Sequence, residues 1–73
     1  MVKISLRVKE LLKERNMSQK ELATLSGVRE STISEICRNA RTVINFEHLS
    51  KIAEALDIKD ISDLIILDIK QGE

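Results

Sequence analysis

The residues able to do covalent or metal chemistry are few and isolated. Cys37 is the lone cysteine and His48 the lone histidine. Neither an internal disulfide nor a structural zinc site can be built from them. No paired carboxylates, no nucleophile with a base beside it and no phosphate-cradling glycine loop is visible. Seventy-three residues leave little room for a substrate pocket, so neither an enzyme nor a cofactor is expected. His48 is expected on a helix surface, and Cys37 as a small core residue, because free cysteine is usually buried.

The chemistry this chain does offer is charge and hydrogen bonding, and it is unevenly spread. Residues 1–45 hold nine basic and five acidic residues, and residues 46–73 hold three and seven. The formal charge is zero, but the halves carry +4 and −4. A polyanion would respond to the field of the first half more than to the sum. Phe46 is the sole aromatic residue, which nearly excludes stacking on single-stranded bases. The longest apolar run, Leu64-Ile65-Ile66-Leu67, is too short to span a bilayer. Residues Met1-Val2-Lys3-Ile4-Ser5 lack the apolar stretch of a secretion signal. A single cytoplasmic domain over 1–73, with no membrane partner, is expected.

The elements that must position these charges follow from apolar spacing. Val2, Ile4, Leu6 and Val8 alternate with polar residues, a strand period, while Val8, Leu11 and Leu12 recur at helical spacing. This predicts a short strand near 2–5 leading into a first helix near 6–15, closed by Asn16 in the left-handed conformation. Ser18-Gln19-Lys20-Glu21 is a capping box, with Met17 and Leu22 placed as a hydrophobic staple. It opens a second helix to about Leu25. Ser26-Gly27-Val28 then turns, with Gly27 free to take positive φ. A third helix near 30–37 carries Ile33, Ile36 and Cys37 on one side and ends at Asn39. Asn45 caps a fourth helix near 46–56 with Phe46, Leu49, Ile52, Ala53 and Leu56 as one stripe. A short fifth helix near 61–65 is expected, started by Asp60 or Ser62. The β-rich tail through Ile69 needs a partner, since a lone strand is unstable. Pairing with Val2–Ser5 is expected, the alternative being extension of the last helix.

Two short helices joined by a glycine-containing turn form the helix-turn-helix unit, whose second helix is offered to the major groove of DNA. The residues carry the reading further. Met17-Ser18-Gln19-Lys20-Glu21-Leu22-Ala23, Ser26-Gly27-Val28, Ser31-Thr32-Ile33-Ser34-Glu35-Ile36 and Arg38-Asn39 resemble the helix-turn-helix domains of phage Cro and lambda-type repressors, the XRE family. Leu49-Ser50-Lys51-Ile52-Ala53-Glu54-Ala55-Leu56 is similar to that family's fourth helix. The resemblance covers about residues 6–65. It implies an all-α, five-helix lambda repressor-like bundle, with a small strand pair from the two chain ends as in small single-domain members.

The same resemblance implies roles. Gln19 matches a glutamine that touches a phosphate and braces the recognition helix. Leu22, Ala23, Val28, Ile33 and Ile36 match packing positions. The DNA-facing set is Arg29, Glu30, Ser31, Thr32, Ser34 and Glu35 on the first turns of helix 3, with Arg38, Asn39 and Arg41 gripping the backbone after it. Arginine can pair with guanine or phosphate, serine can serve either strand, and glutamate can accept from cytosine N4. Glu30 is equally explained as a partner of its own helix dipole, and Glu35 as solvated surface. Three positions and one stretch depart from the family's pattern, Asp57-Ile58-Lys59-Asp60 being one residue longer than is typical. Arg29 stands where Ser or Thr usually caps, at a cost of about 1 kcal/mol; Cys37 replaces the usual Glu; and Asn39 replaces the usual Gly.

The expected function is a sequence-specific, DNA-binding transcriptional regulator, expected to be a repressor, that reads the major groove of double-stranded DNA with helix 3 as a homodimer. Specific binding by so small a domain calls for two half-sites about 34–36 Å apart. The dimer surface is expected at helix 5 and the apolar tail. The rival reading is a protein-interaction module, such as an antitoxin or anti-repressor, that keeps this fold and binds a partner protein.

Overall fold

Both ends of the chain meet in one antiparallel ribbon, and the helices lie between them in sequence. The computed structural model describes residues 2–40 and 43–69. Strand β1 (Val2–Leu6) pairs with β2 (Ile65–Ile69), in a register that sets Val2 against Ile69, Ile4 against Leu67 and Leu6 against Ile65. The expected pairing of the chain ends therefore forms, because each apolar strand supplies the other's hydrogen-bond partners. The Arg7 amide donates to the Leu64 carbonyl at 2.8 Å and closes the base of the ribbon.

Among the described residues four α-helices follow: α1 (Val8–Glu14), α2 (Gln19–Ser26), α3 (Glu30–Cys37) and α4 (Phe46–Ala55). The expected fifth helix is a single 3-10 turn, Ile61–Asp63. Asp60 caps it, but Leu64 is already packed in the core and Ile65 already belongs to β2, so no residues remain for a second turn.

Three helices end without glycine. At α1 the Met17 and Asn16 amides donate to the Leu12 and Lys13 carbonyls; at α3 those of Ala40 and Asn39 donate to Glu35 and Ile36; at α4 those of Ile58 and Asp57 donate to Ala53 and Glu54. Each is a Schellman closure through a left-handed residue, with φ of 55° at Asn16, 53° at Asn39 and 57° at Asp57. Short polar side chains tolerate that conformation at modest cost.

The core is small. Val8, Leu22, Ile33, Ile36, Ile52 and Leu64 are its fully buried side chains, with Leu6, Leu11, Leu12, Val28, Cys37, Leu49 and Leu56 around them. The α4 stripe holds at Leu49, Ile52 and Leu56 but not at Phe46, which is 81% exposed. Phe46 is the first residue of α4, one turn short of the core, and among the described residues none covers it. His48, expected at the surface, is half-buried, and its Nδ1 is closed off without a hydrogen-bond partner among the described residues.

Candidate nucleic-acid interface

The α2–turn–α3 unit is set by local hydrogen bonds before packing acts on it. The Ser18 amide donates to Glu21 Oε1 at 2.8 Å, and the Glu21 amide donates to Ser18 Oγ at 3.0 Å. The capping box thus satisfies two amides that a helix start otherwise leaves bare. Gly27 closes α2 in the left-handed region at φ 78°. The Val28 amide donates to Ser26 Oγ at 3.1 Å, and the Val28 side chain is buried. From that pivot α3 packs against both α2 and α1.

Helix α3 has two faces. Thr32, Ile33, Ile36 and Cys37 point into the core. Arg29, Glu30 and Ser31 are exposed, Ser34 and Glu35 are half-buried, and Arg38 is exposed just past the end. Residues at i, i+1, i+4, i+5 and i+8 share one side of a helix, so Glu30, Ser31, Ser34, Glu35 and Arg38 form one polar face. Thr32 is separated from them: only 8% exposed, it supports the helix from inside. Arg29 holds the N-cap position and makes no side-chain cap. Its side chain is free of that duty, and the helix start lacks the cap bond a Ser or Thr would supply. Gln19 opens α2 and is half-buried. Arg41 lies outside the described residues.

Asn39 differs most from the sequence-based expectation. Its Oδ1 accepts from the Leu6 amide at 2.8 Å, and its Nδ2 donates to the Leu6 carbonyl at 3.3 Å. Rather than reaching outward with Arg38, it clamps the end of α3 to β1. No local sequence signal foretells a bond across 33 positions.

Two arginines of the positive half are also structural. Arg7 Nη1 donates to the Asp63 carbonyl at 3.0 Å, and its Nη2 lies 3.4 Å from Glu14 Oε2. Arg15 Nη2 donates to the Leu56 carbonyl at 3.1 Å, against the C-terminal end of α4, where a cation is favoured. Burial raises the Cys37 thiol above its ordinary pKa of 9.0; the smaller influence of Lys9 lowers it and that of Glu10 raises it. A neutral, enclosed thiol suits a packing residue. Among the described residues no His, Cys, Asp or Glu cluster is built to hold a metal, and no helix is long and apolar enough to cross a membrane.

This geometry agrees with what the chain resembles. A family profile described as "Helix-turn-helix" matches residues 8–64. The HTH-type transcriptional regulators SinR of Bacillus subtilis (strain 168) and of Bacillus licheniformis are each 38% identical over 55 residues, 75% of this chain and 50% of theirs. The chain therefore spans about half the length of the curated relatives it matches. No solved structure matches significantly. The matched span runs from the first residue of α1 to the end of the 3-10 turn and includes the whole α2–Gly27–α3 unit; the chain belongs to the helix-turn-helix family of the XRE type.

Proposed function

We propose that this protein is a sequence-specific DNA-binding transcriptional regulator that acts as a homodimer in the cytoplasm. The observation that carries this reading is the polar side of α3, where Arg29, Glu30, Ser31 and Arg38 are exposed. Strand β2 (Ile65–Ile69) pairs with β1. Arg29, Glu30, Ser31, Ser34 and Glu35 read base edges in the major groove. Gln19, Arg38 and Arg41 meet phosphates, which fix position and supply most of the affinity. Asn39 serves the interface by holding the end of α3 in place, and Thr32 by packing beneath it. The regulator represses by occupying promoter DNA.

Selection of binding sites from random duplexes at two salt concentrations tests this. A palindrome with half-sites about 34–36 Å apart is the expected product. Arg38→Ala should weaken binding evenly across sequences and lower the salt slope by about 1. Arg29→Ala should in addition relax the preference at one base pair. Failure to retain any duplex at low salt would refute the proposal.

A second reading has one observation in its favour. Glu30 and Glu35 share the α3 face with the arginines, and carboxylates repel phosphates. If that face docks on a partner protein, duplex affinity is negligible from the start, and neither arginine variant changes it.

A further inference from the structure

We propose that the outer edge of β1 is a docking site for an extended segment of another protein, an apolar–acidic–apolar stretch that adds to the ribbon as a third strand. This inference goes beyond the DNA-binding reading and stands or falls apart from it. In an antiparallel ribbon, facing residues alternate between pairs that bond each other and pairs whose N–H and C=O point outward. The Arg7 amide bonds the Leu64 carbonyl, so by alternation the next bonded pairs are Ser5 with Ile66 and Lys3 with Asp68. Leu6, Ile4 and Val2 therefore turn their backbone groups away from β2. Leu6 agrees with that phase: its N–H and C=O meet Oδ1 and Nδ2 of Asn39 at 2.8 and 3.3 Å. One side-chain amide thus stands in for the first residue of a third strand. Beyond it, the backbone groups of Ile4 and Val2 have no partner among the described residues.

Unpaired edge groups are a template for another strand, and beside β1 there is also room for side chains. A groove of about 460 Å³ is lined by residues 3–6 of β1, Lys3 and Ser5 included, and by Asn39, Ile44, Phe46 and Leu49. Its two most open apolar side chains are Ile4, 67% exposed, and Phe46, 81% exposed. An added antiparallel strand gains backbone bonds at Ile4 and Val2. Its residues opposite these two share their apolar face, and the one opposite Ile4 reaches the groove that Ile4 and Phe46 line. The residue between them falls beside Lys3 on the other face. Lys3 makes no ion pair among the described residues, so a carboxylate suits that position. The chain's own β2 already has this form on the inner edge, where Leu67, Asp68 and Ile69 face Ile4, Lys3 and Val2.

The edge does not suit a second copy of itself. A two-fold contact must be self-complementary, and each way of pairing β1 with its twin meets an obstacle. Every register that brings Leu6 into the pairing is blocked by Asn39, which already holds both Leu6 backbone groups. Setting Val2 against Val2 leaves a single bonded pair. Setting Val2 against Ile4 puts Lys3 directly against Lys3 in a close, non-bonded pair, where like charges destabilise. Lys3 thus keeps the edge from its twin and leaves it open to a carboxylate.

The test is an amide-resolved NMR titration of the full, isotope-labelled chain with the end-blocked pentapeptide Thr-Leu-Asp-Ile-Thr. The Val2 and Ile4 amide signals should move and exchange with solvent more slowly, with a Kd on the order of millimolar. The same peptide with Lys in place of Asp should bind about fivefold more weakly, and Lys3→Glu should reverse that preference. Ile4→Pro removes an outward N–H but no bond to β2, so circular dichroism should show the fold kept while binding is lost. Phe46→Ser, away from the strand, should weaken binding severalfold and keeps the test decisive if Ile4→Pro unfolds. Val2 and Ile4 signals unmoved at about 10 mM peptide overturn the proposal. So do shifts confined to α3, or a Lys3→Glu chain that keeps the wild-type preference. Val2 and Ile4 amides that become protected with rising protein concentration alone would show a second copy on the edge and would overturn it too. Loss of duplex binding changes none of these readouts.

Discussion

Asn39 is where one substitution tests the most. It does two jobs: it occupies the left-handed position that ends α3, at φ 53°, and it makes paired hydrogen bonds of 2.8 and 3.3 Å to the backbone of Leu6. Leu6 is only 7% exposed, so water cannot fully replace those bonds. Asn39→Ala removes both, worth about 0.5–1.5 kcal/mol each. It also puts a Cβ-bearing residue with no local polar compensation into left-handed backbone, at about 1 kcal/mol. The total is about 2–4 kcal/mol. Asn39→Gly restores the backbone freedom but not the bonds, and should cost about 1–3 kcal/mol. A domain of this length holds roughly 4–10 kcal/mol in all, so both losses are large. Urea denaturation of the full chain reads the ranking: wild type most stable, Gly intermediate, Ala least. An Asn39→Gly variant as stable as the wild type would show that only the turn matters and that the ribbon clamp carries nothing. An Asn39→Ala variant within about 0.5 kcal/mol of the wild type would refute both roles.

Gly27→Ala should cost about 1 kcal/mol from backbone strain alone, since a Cβ there meets nothing within 4 Å; a loss far above that in thermal melts would mean the turn is tighter than described. Asp60 accepts from the Ser62 amide at 3.0 Å and the Ser62 hydroxyl at 2.8 Å, and these bonds hold its carboxyl below the ordinary value of 3.8. A lowered folded pKa means the stabilisation is present above 3.8 and is lost as pH falls through the lower folded value. An NMR titration should place the Asp60 midpoint below that of a free aspartate, and Ser62→Ala should move it up. Burial raises the Cys37 thiol above 9.0, so iodoacetamide should react slowly near neutrality and much faster in urea. Because the folded state disfavours the thiolate, stability should also decline as pH rises past 9.0. Alkylation at the free-thiol rate without denaturant would contradict the burial.

Much of this architecture is written in short-range chemistry. The capping box at Ser18–Glu21, the glycine at position 27 and the asparagines at 16 and 39 act within one or two turns of chain. Helix ends and the turn between α2 and α3 were accordingly legible. The 3.6-residue spacing of Ile33, Ile36 and Cys37 marks one side of α3 as inner, which leaves Glu30, Ser31, Ser34 and Glu35 outer. Even the union of the chain ends was foreseeable, because two β-rich segments had no other partner. Other features depend on distance in space. That Asn39 clamps Leu6, that Arg7 and Arg15 each donate to a distant backbone carbonyl, and that Phe46 lies bare beside a groove are contacts or gaps between elements far apart in the chain. Local propensity carries no information about which side chain arrives opposite which backbone group. Only the closing of the ribbon onto the helices settles that, because the reach and direction of each side chain are set by where its element finally packs.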